Sequence, residues 1–213
     1  MTALVALIMF SAGQTDAYAQ NYMTQMHQAA RNTVYESKLR HQVAFLSDTI
    51  CGGRATGTRG NVEAACWLQR EFSKIGLLKF GDSYAKRIYA GQGKIGRNIM
   101  GMLPGSNHFP KKQYVIVGAH YDHLGHTEAG IHYGADDNAT GIATILTLAK
   151  MVKASGITPK YTLVFCAWDG EEKGLLGSKY FVKEWYENRE PGDSICHYMN
   201  FDMMGRTVDD ALP

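Results

Sequence analysis

Residues 113–123 read QYVIVGAHYDH and join an apolar run to a cluster of polar side chains. The run from Tyr114 to Val117 does not alternate with polar residues, a pattern typical of a strand covered on both faces in the centre of a sheet. We therefore predict a buried strand over 113–119. His120 and Asp122 leave that strand at its carboxyl end.

Acidic segments follow two later apolar runs in the same way. Trp168-Asp169-Gly170-Glu171-Glu172 follows one run, and Asn200-Phe201-Asp202 ends another. The pattern predicts strands at 98–103, 161–167 and 195–201 and helices at 141–154 and about 175–185. Alternating strands and helices form βαβ units, so we predict an α/β fold with a largely parallel sheet. In such sheets, reactive groups collect beyond the carboxyl ends of the strands.

The segment before residue 98 is predicted to contain two helices. The pattern indicates a helix over 21–46, a glycine-rich loop over 51–60, a second helix over 62–75 and an edge hairpin or loop over 77–97. Asn61 can cap the second helix, and Gly76 is placed to end it. The loop lacks a G-K-[ST] sequence and a preceding strand, so a phosphate-binding role for it has little support.

Composition limits the class of protein. The chain has 213 residues, of which 45% are hydrophobic and 20% charged, and these values suit one globular domain with a sizeable core. The formal net charge is +2, without a run of basic residues. Nothing in this balance favours nucleic acid as a partner.

The N-terminal residues resemble an export signal. Residues 3–10 are a short apolar run, and Ala17-Tyr18-Ala19 has the A-x-A form of a signal-peptidase site. We predict a signal peptide over 1–19, a mature domain over 20–213 and an exported protein, periplasmic or secreted. A buried N-terminal helix is the alternative, since no Lys or Arg precedes the run. The run is too short for a stable membrane span.

The four cysteines show no metal-binding or redox spacing, because no C-x-x-C pattern occurs. Cys166 and Cys196 lie in apolar strand runs and are interpreted as free thiols. The sequence leaves open a disulfide bond between Cys51 and Cys66.

His120 is a candidate metal ligand. A metal-binding imidazole needs a hydrogen bond on its other nitrogen, commonly from a carboxylate, and Asp122 could provide it across a sharp turn. His123, His126 and His132 have no comparable support and are interpreted as ordinary loop residues.

Two pairs of adjacent acids are further candidates. Asp136-Asp137 precedes a helix, where capping explains one acid but not both. Neighbouring carboxylates at a buried corner repel each other unless a cation compensates. In Glu171-Glu172, one carboxylate can bind a metal while the other acts as general base. An exposed acidic first turn of a helix is the alternative for this second pair.

Taken in order, these motifs resemble the M28-type zinc aminopeptidases, which have a co-catalytic metal pair. The similarity lies in residues 118–123, 134–141, 168–178 and 200–203, and the chain also looks similar in 53–58 and in 98–105. It implies a three-layer sandwich with a mixed, largely parallel sheet, and two zinc ions per complete domain. It also implies peptide substrates with a free N-terminus. The implied roles are zinc ligation by His120, Asp137, Glu172 and Asp202, with Asp137 bridging, general base catalysis by Glu171 and orientation of His120 by Asp122. The peptide bond between Asp137 and Asn138 is expected to be cis.

One element of the family pattern is missing from the sequence. The family has a further histidine ligand much later in the chain, and His197 does not fit that place. We therefore expect residues 20–213 to be the N-terminal and central part of a zinc exopeptidase domain, whose last strands and helices and last zinc ligand lie beyond Pro213. A related carboxypeptidase or amidase, a one-zinc glutaminyl cyclase and a non-catalytic binding module are the competing interpretations.

Overall fold

The computed structural model describes residues 16–106 and 112–206. The helices are α1 (Asp16–Thr33), α2 (Glu36–Leu46), α3 (Arg59–Ile75), α4 (Gly141–Ala154) and α5 (Leu176–Asn188). The strands are β1 (Leu78–Lys79), β2 (Ala85–Tyr89), β3 (Ile95–Leu103), β4 (Gln113–His120), β5 (Gly125–Thr127), β6 (Gly130–His132), β7 (Thr162–Trp168) and β8 (Ser194–Asn200). The apolar run of the predicted signal peptide lies outside the described residues.

The main sheet has the strand order β1-β3-β7-β4-β8, and β2 also pairs with β3. Strand β4 pairs in parallel with β7 on one side and with β8 on the other, whereas β3 runs antiparallel to β7. The predicted central position of β4 is therefore confirmed. The sheet is mixed and largely parallel, as expected.

Alternate residues of the central strands pack into two separate cores. Val115, Val117 and Phe165 face a core formed with α1 to α4. Ile116 and Val164 face the opposite side, where Phe181 of α5 covers the sheet. This alternation follows from the two-residue repeat of a strand. Helices thus cover both faces of the sheet, and the predicted three-layer sandwich is confirmed.

The predicted helix over 21–46 is wrong in one respect, because two helices occupy this segment. Helix α1 ends at Thr33, and Tyr35 has the extended dihedral angles φ −120° and ψ 133°. The break contains no glycine or proline. It falls on β-branched and aromatic residues, 33–35, which lose side-chain freedom in a helix.

Helix α3 begins three residues earlier than predicted, and Thr58, not Asn61, caps it. The Thr58 hydroxyl accepts a hydrogen bond from the Asn61 backbone N–H at 3.3 Å. The Asn61 side chain instead donates to Asp169. Gly76 ends the helix with φ 80°, as predicted for a left-handed C-terminal position.

The segment 77–97 contains β1, β2 and the start of β3. Strands β2 and β3 form an antiparallel hairpin, with Ala85 opposite Ile99. The prediction of an edge hairpin or loop is therefore confirmed as a hairpin. Strand β3 begins at Ile95, before the predicted start at residue 98.

All four cysteines are free. Cys51 is buried and Cys66 is exposed, and burial raises the pKa of the Cys51 thiol to about 11. The disulfide bond between Cys51 and Cys66 that the sequence left open is absent from the structure. None of the helices in the described part of the chain is long and apolar enough to cross a membrane.

We predict that Gly118→Ala will destabilise the protein. A Cβ atom at Gly118 would lie 2.4 Å from Nε1 of Trp168 on the neighbouring strand, so the added methyl group overpacks the core. The free energy of unfolding should fall by about 1–3 kcal/mol, measured by urea denaturation. The loss should be smaller in a Trp168→Phe background, which removes the indole nitrogen. An equal loss in both backgrounds would show that this contact is not the cause.

Candidate active site

The carboxyl ends of three parallel strands bring the predicted site residues together. His120 is the last residue of β4 and lies opposite Trp168, the last residue of β7. Asp169 follows Trp168 directly. Gly118 lies opposite Asn200, the last residue of β8, and Asp202 comes two residues after Asn200. The register of the sheet therefore places one histidine and several carboxylates at one edge.

His120, Asp137 and Asp202 form one group of possible metal ligands. His120 Nε2 lies 3.1 Å from Asp137 Oδ1 and 3.5 Å from Asp202 Oδ1. Ligand atoms on one tetrahedral zinc ion are roughly 3.4 Å apart, given bonds of about 2.1 Å. The group fits a zinc ion. His120 is buried and both aspartates are about 40% exposed, so the group opens towards solvent.

Asp122 orients His120 through its backbone as well as its side chain. His120 Nδ1 lies 3.1 Å from the Asp122 backbone carbonyl and 3.7 Å from the Asp122 carboxylate. This leaves Nε2 for a metal. Burial lowers the pKa of His120, but the hydrogen bond and charge of Asp122 and the charges of Asp202 and Glu171 outweigh it and raise the pKa to about 9. A metal ion has to displace that proton.

The Asp122 carboxylate also positions the turn after β7. It is fully buried and accepts hydrogen bonds from the backbone N–H groups of Glu171 at 3.0 Å and Glu172 at 3.3 Å. The Thr56 hydroxyl of the glycine-rich loop lies 3.2 Å from it and 2.9 Å from the Asp169 carboxylate, and its one proton is shared between the two. The sequence predicted only the contact with His120. The structure gives Asp122 a second role, which is to hold the acidic pair.

His123, Asp137 and Glu172 form a second group. His123 Nδ1 lies 2.8 Å from Glu172 Oε1 and 3.7 Å from Asp137 Oδ2. The interpretation of His123 as an ordinary loop residue is therefore wrong. Its place directly after Asp122, in the same turn, was the only available signal. His126 is exposed. The His132 ring packs edge-on against the His123 ring, with the centroids 6.4 Å apart, and lies 2.9 Å from the Thr127 hydroxyl. Neither histidine belongs to a ligand group of the described residues.

Asp137 lies between the two groups. Its Oδ1 faces His120, and its Oδ2 faces His123 and the Glu172 side. A carboxylate with each oxygen directed to a different ligand group has the geometry of a bridging ligand. The peptide bond from Asp137 to Asn138 is cis. The Asn138 side chain donates to the Phe201 carbonyl at 2.9 Å and so joins this turn to the segment that carries Asp202.

The neighbouring Asp136 is not directed at the metal groups. Its carboxylate accepts hydrogen bonds from Arg206 Nε at 2.7 Å and from the Gly205 backbone N–H at 2.9 Å. The sequence suggested that one cation compensates the Asp136-Asp137 pair. The structure separates the two acids: Asp136 anchors the chain after Asp202, and Arg206 is its cation.

Arg54, in the glycine-rich loop, is fully buried and connects three segments around the site. It donates hydrogen bonds to the backbone carbonyls of Tyr121 at 2.7 Å, Tyr133 at 2.8 Å and Gly134 at 2.9 Å, and to that of Leu46. Tyr121 follows His120, and Gly134 precedes the turn that carries Asp137. The loop therefore has a structural role: it fixes the segment that carries His120 relative to the segment that carries Asp137.

Asp169 is a second buried anchor of the same loop. Its carboxylate accepts hydrogen bonds from Thr56, Asn61 and Tyr121 side chains and from two backbone N–H groups, at 2.7–3.0 Å. Burial, with the charge of Asp122, raises its pKa despite these bonds. The sequence pattern did not distinguish this acid from its neighbours.

Glu171 lines a small cleft with His120 and Asp202. Burial raises the pKa of its carboxyl group, the charge of His120 acts in the opposite direction, and the neighbouring carboxylates raise the pKa further. A carboxylate with a raised pKa beside a metal group suits a general base.

Two groups of possible ligands, with His120 in one and His123 in the other, lie at the carboxyl edge of a largely parallel sheet, an arrangement that fits a metallohydrolase class of site. The model of the Peptidase family M28 matches residues 98–212, and the chain belongs to this family. Metal dependence, with zinc as the metal, follows from membership of the family.

Known relatives agree with this assignment. The chain is 34% identical over 155 residues to a protein named probable leucine aminopeptidase from Arthroderma otae, covering 68% of this chain and 39% of the relative. LapB from Legionella pneumophila is 27% identical with a TM-score of 0.65, covering 84% of this chain and 46% of that one. A glutaminyl cyclase from Bacteroides thetaiotaomicron, at 22% identity and a TM-score of 0.55, shares the fold over 84% of this chain and 62% of its own. The chain spans less than half the length of the curated relatives that it matches.

We predict that loss of the contact between Asp136 and Arg206 will weaken zinc binding. Arg206→Ala should lower zinc affinity by about tenfold, because the segment after Asp202 loses its anchor. Its unfolding transition should stay unchanged, since the Arg206 side chain is 62% exposed. Affinity is measured by competition with a chromogenic chelator.

The matched control is Lys183→Ala, which removes an exposed ion pair with Glu187 on α5. Asp136→Asn should reproduce the effect of Arg206→Ala. Wild-type zinc affinity in both site variants would exclude an anchoring role for this pair.

Proposed function

We propose that this chain is the metal-binding part of an aminopeptidase that removes N-terminal residues from peptides. The enzyme would use two zinc ions for this reaction. The observation that carries the proposal is the position of Asp137 between two ligand groups. In this assignment His120 and Asp202 would hold one zinc ion, Glu172 would hold the other, and Asp137 would be a ligand of both. Asp122 orients His120, and Glu171 is the general base.

The chemistry is divided between the metals and Glu171. Bound zinc lowers the pKa of a water molecule to about 7 and polarises the scissile carbonyl. Glu171 accepts the proton of the attacking water and returns it to the leaving amine. The raised pKa of Glu171 suits both transfers. The Asp122 carboxylate holds Glu171 in place by accepting a hydrogen bond from the Glu171 backbone N–H.

The charge of the cleft supports selection of the amino end of a substrate. The carboxylates of Asp122, Asp137, Glu171, Glu172 and Asp202 together carry one negative charge more than two zinc ions would neutralise, which favours a substrate ammonium group. A carboxypeptidase needs a cation for the terminal carboxylate. Of the arginines beside the ligand groups, Arg54 is buried against backbone carbonyls and Arg206 is paired with Asp136. Neither is open to a substrate carboxylate.

A glutaminyl cyclase and a non-catalytic binding module have less support than an aminopeptidase. The second ligand group, with Glu172 and Asp137, favours two metals over the single zinc of a glutaminyl cyclase. The intact Glu171 beside His120 favours an enzyme over a binding module.

Export to the periplasm or the exterior is part of the proposal. It is supported by the apolar residues 3–10 and by the A-x-A sequence at 17–19.

The decisive variant is Glu171→Gln in the full-length protein. It keeps the shape of the side chain but removes the base, so kcat on aminoacyl nitroanilides should fall by about 10²–10⁴-fold. Zinc content should stay at the wild-type value, because Glu171 is not among the proposed ligands. Activity is followed by nitroaniline release and zinc by atomic absorption.

Glu187→Gln on the exposed face of α5 is the matched control and should keep full activity. Substrates with an acetylated amino terminus should not be cleaved by the wild type. Cleavage of free and acetylated substrates at equal rates would contradict the aminopeptidase assignment. Full activity in Glu171→Gln would contradict the mechanism.

A further inference from the structure

We propose that His123 is a positioning residue that holds Glu172 by a hydrogen bond and presents its other carboxylate oxygen to the second zinc ion. This inference rests on the proposed two-zinc site and assigns a role to a residue outside the proposed ligand set. The contact that carries it joins His123 Nδ1 to Glu172 Oε1 at 2.8 Å.

The length of this contact identifies it as a hydrogen bond. Two ligand atoms of one tetrahedral zinc ion lie roughly 3.4 Å apart. The distances from His120 Nε2 to Asp137 and Asp202, 3.1 and 3.5 Å, agree with that separation. The contact between His123 and Glu172, at 2.8 Å, is shorter than both and is close to the commonest length of a hydrogen bond between nitrogen and oxygen.

The donors and acceptors of the two side chains are compatible with this role. A carboxylate oxygen accepts hydrogen bonds, and a neutral imidazole donates one from Nδ1 in one of its two tautomers. With His123 Nδ1 as the donor to Glu172 Oε1, the other carboxylate oxygen of Glu172 is left for the metal.

The His123 ring is held firmly enough for this role. Its backbone N–H donates to the Arg54 carbonyl at 3.4 Å, and its side chain is only 10% exposed. A Cβ atom at Gly134 would lie 2.6 Å from Cδ2 of the ring, so the ring packs against the backbone there. Only glycine leaves room for the ring at that position, where φ is +59°.

The effect of His123 should be confined to one metal position. His123 is hydrogen-bonded to Glu172 but lies 3.7 Å from Asp137, too far for a hydrogen bond, and the His120 group has its own orienting contact from Asp122. Loss of the His123 hydrogen bond frees the Glu172 carboxylate to rotate. Binding at the second position then weakens, and the first position keeps its affinity.

The test is zinc titration of the full-length protein in competition with a chelator. His123→Ala should bind one zinc ion with wild-type affinity and the other about 10–100-fold more weakly. In His123→Asn, the amide nitrogen is bonded to Cγ as Nδ1 is in histidine, so it can donate to Glu172. This variant should keep most of the wild-type affinity. His126→Ala, at an exposed histidine of β5, is the matched control and should change neither affinity.

Cobalt spectra separate a positioning residue from a ligand. At saturating Co²⁺ the visible absorption of His123→Ala should match the wild type, because the coordinating atoms are unchanged. A spectrum with altered coordination would make His123 a ligand and overturn the proposal, as would two wild-type affinities in His123→Ala. A wild type that binds a single zinc ion would contradict the proposed two-zinc function itself and this inference with it.

Discussion

The convergence of like charges at one sheet edge is the constraint on which the rest of the site depends. Asp122, Asp137, Glu171, Glu172 and Asp202 lie around His120 and His123, and burial together with the charges of Glu172, Asp122 and Asp202 raises the pKa of Glu171. Asp122 is compensated by backbone N–H groups, and Glu172 by His123. Asp137 and Asp202 both face His120, where the proposed zinc ion would compensate their charge.

The fold keeps these charges together through a buried polar framework beneath them. Parallel pairing of β4 with β7 and β8 sets which strand ends are neighbours. The glycine-rich loop then joins those ends, because Arg54 donates to three loop carbonyls beside the site and Asp169 accepts from Thr56, Asn61 and Tyr121. Fully satisfied buried networks of this kind make loops rigid. Rigidity is what a metal site needs to hold carboxylates that repel each other.

The sequence was informative wherever the signal was local. Apolar runs followed by histidine or acids predicted the strands and the candidate ligands, since position at a strand end follows from periodicity alone. Residues whose role depends on contacts across long stretches of chain could not be found: Asp136 meets Arg206 70 positions later, and Arg54 reaches Gly134 80 positions later. His123 was missed for a related reason, because its partner Glu172 comes from a different strand end. The break between α1 and α2 lacks the glycine or proline that usually marks one.

The central claim, a metal pair bridged by Asp137, is tested most directly by anomalous diffraction at the zinc absorption edge from crystals of the full-length protein. We predict two zinc peaks about 3.5–4 Å apart, one on each side of the Asp137 carboxylate. One peak should lie beside His120 and Asp202 and the other beside Glu172. A single peak, or zinc bound away from Asp137, would contradict a bridged metal pair.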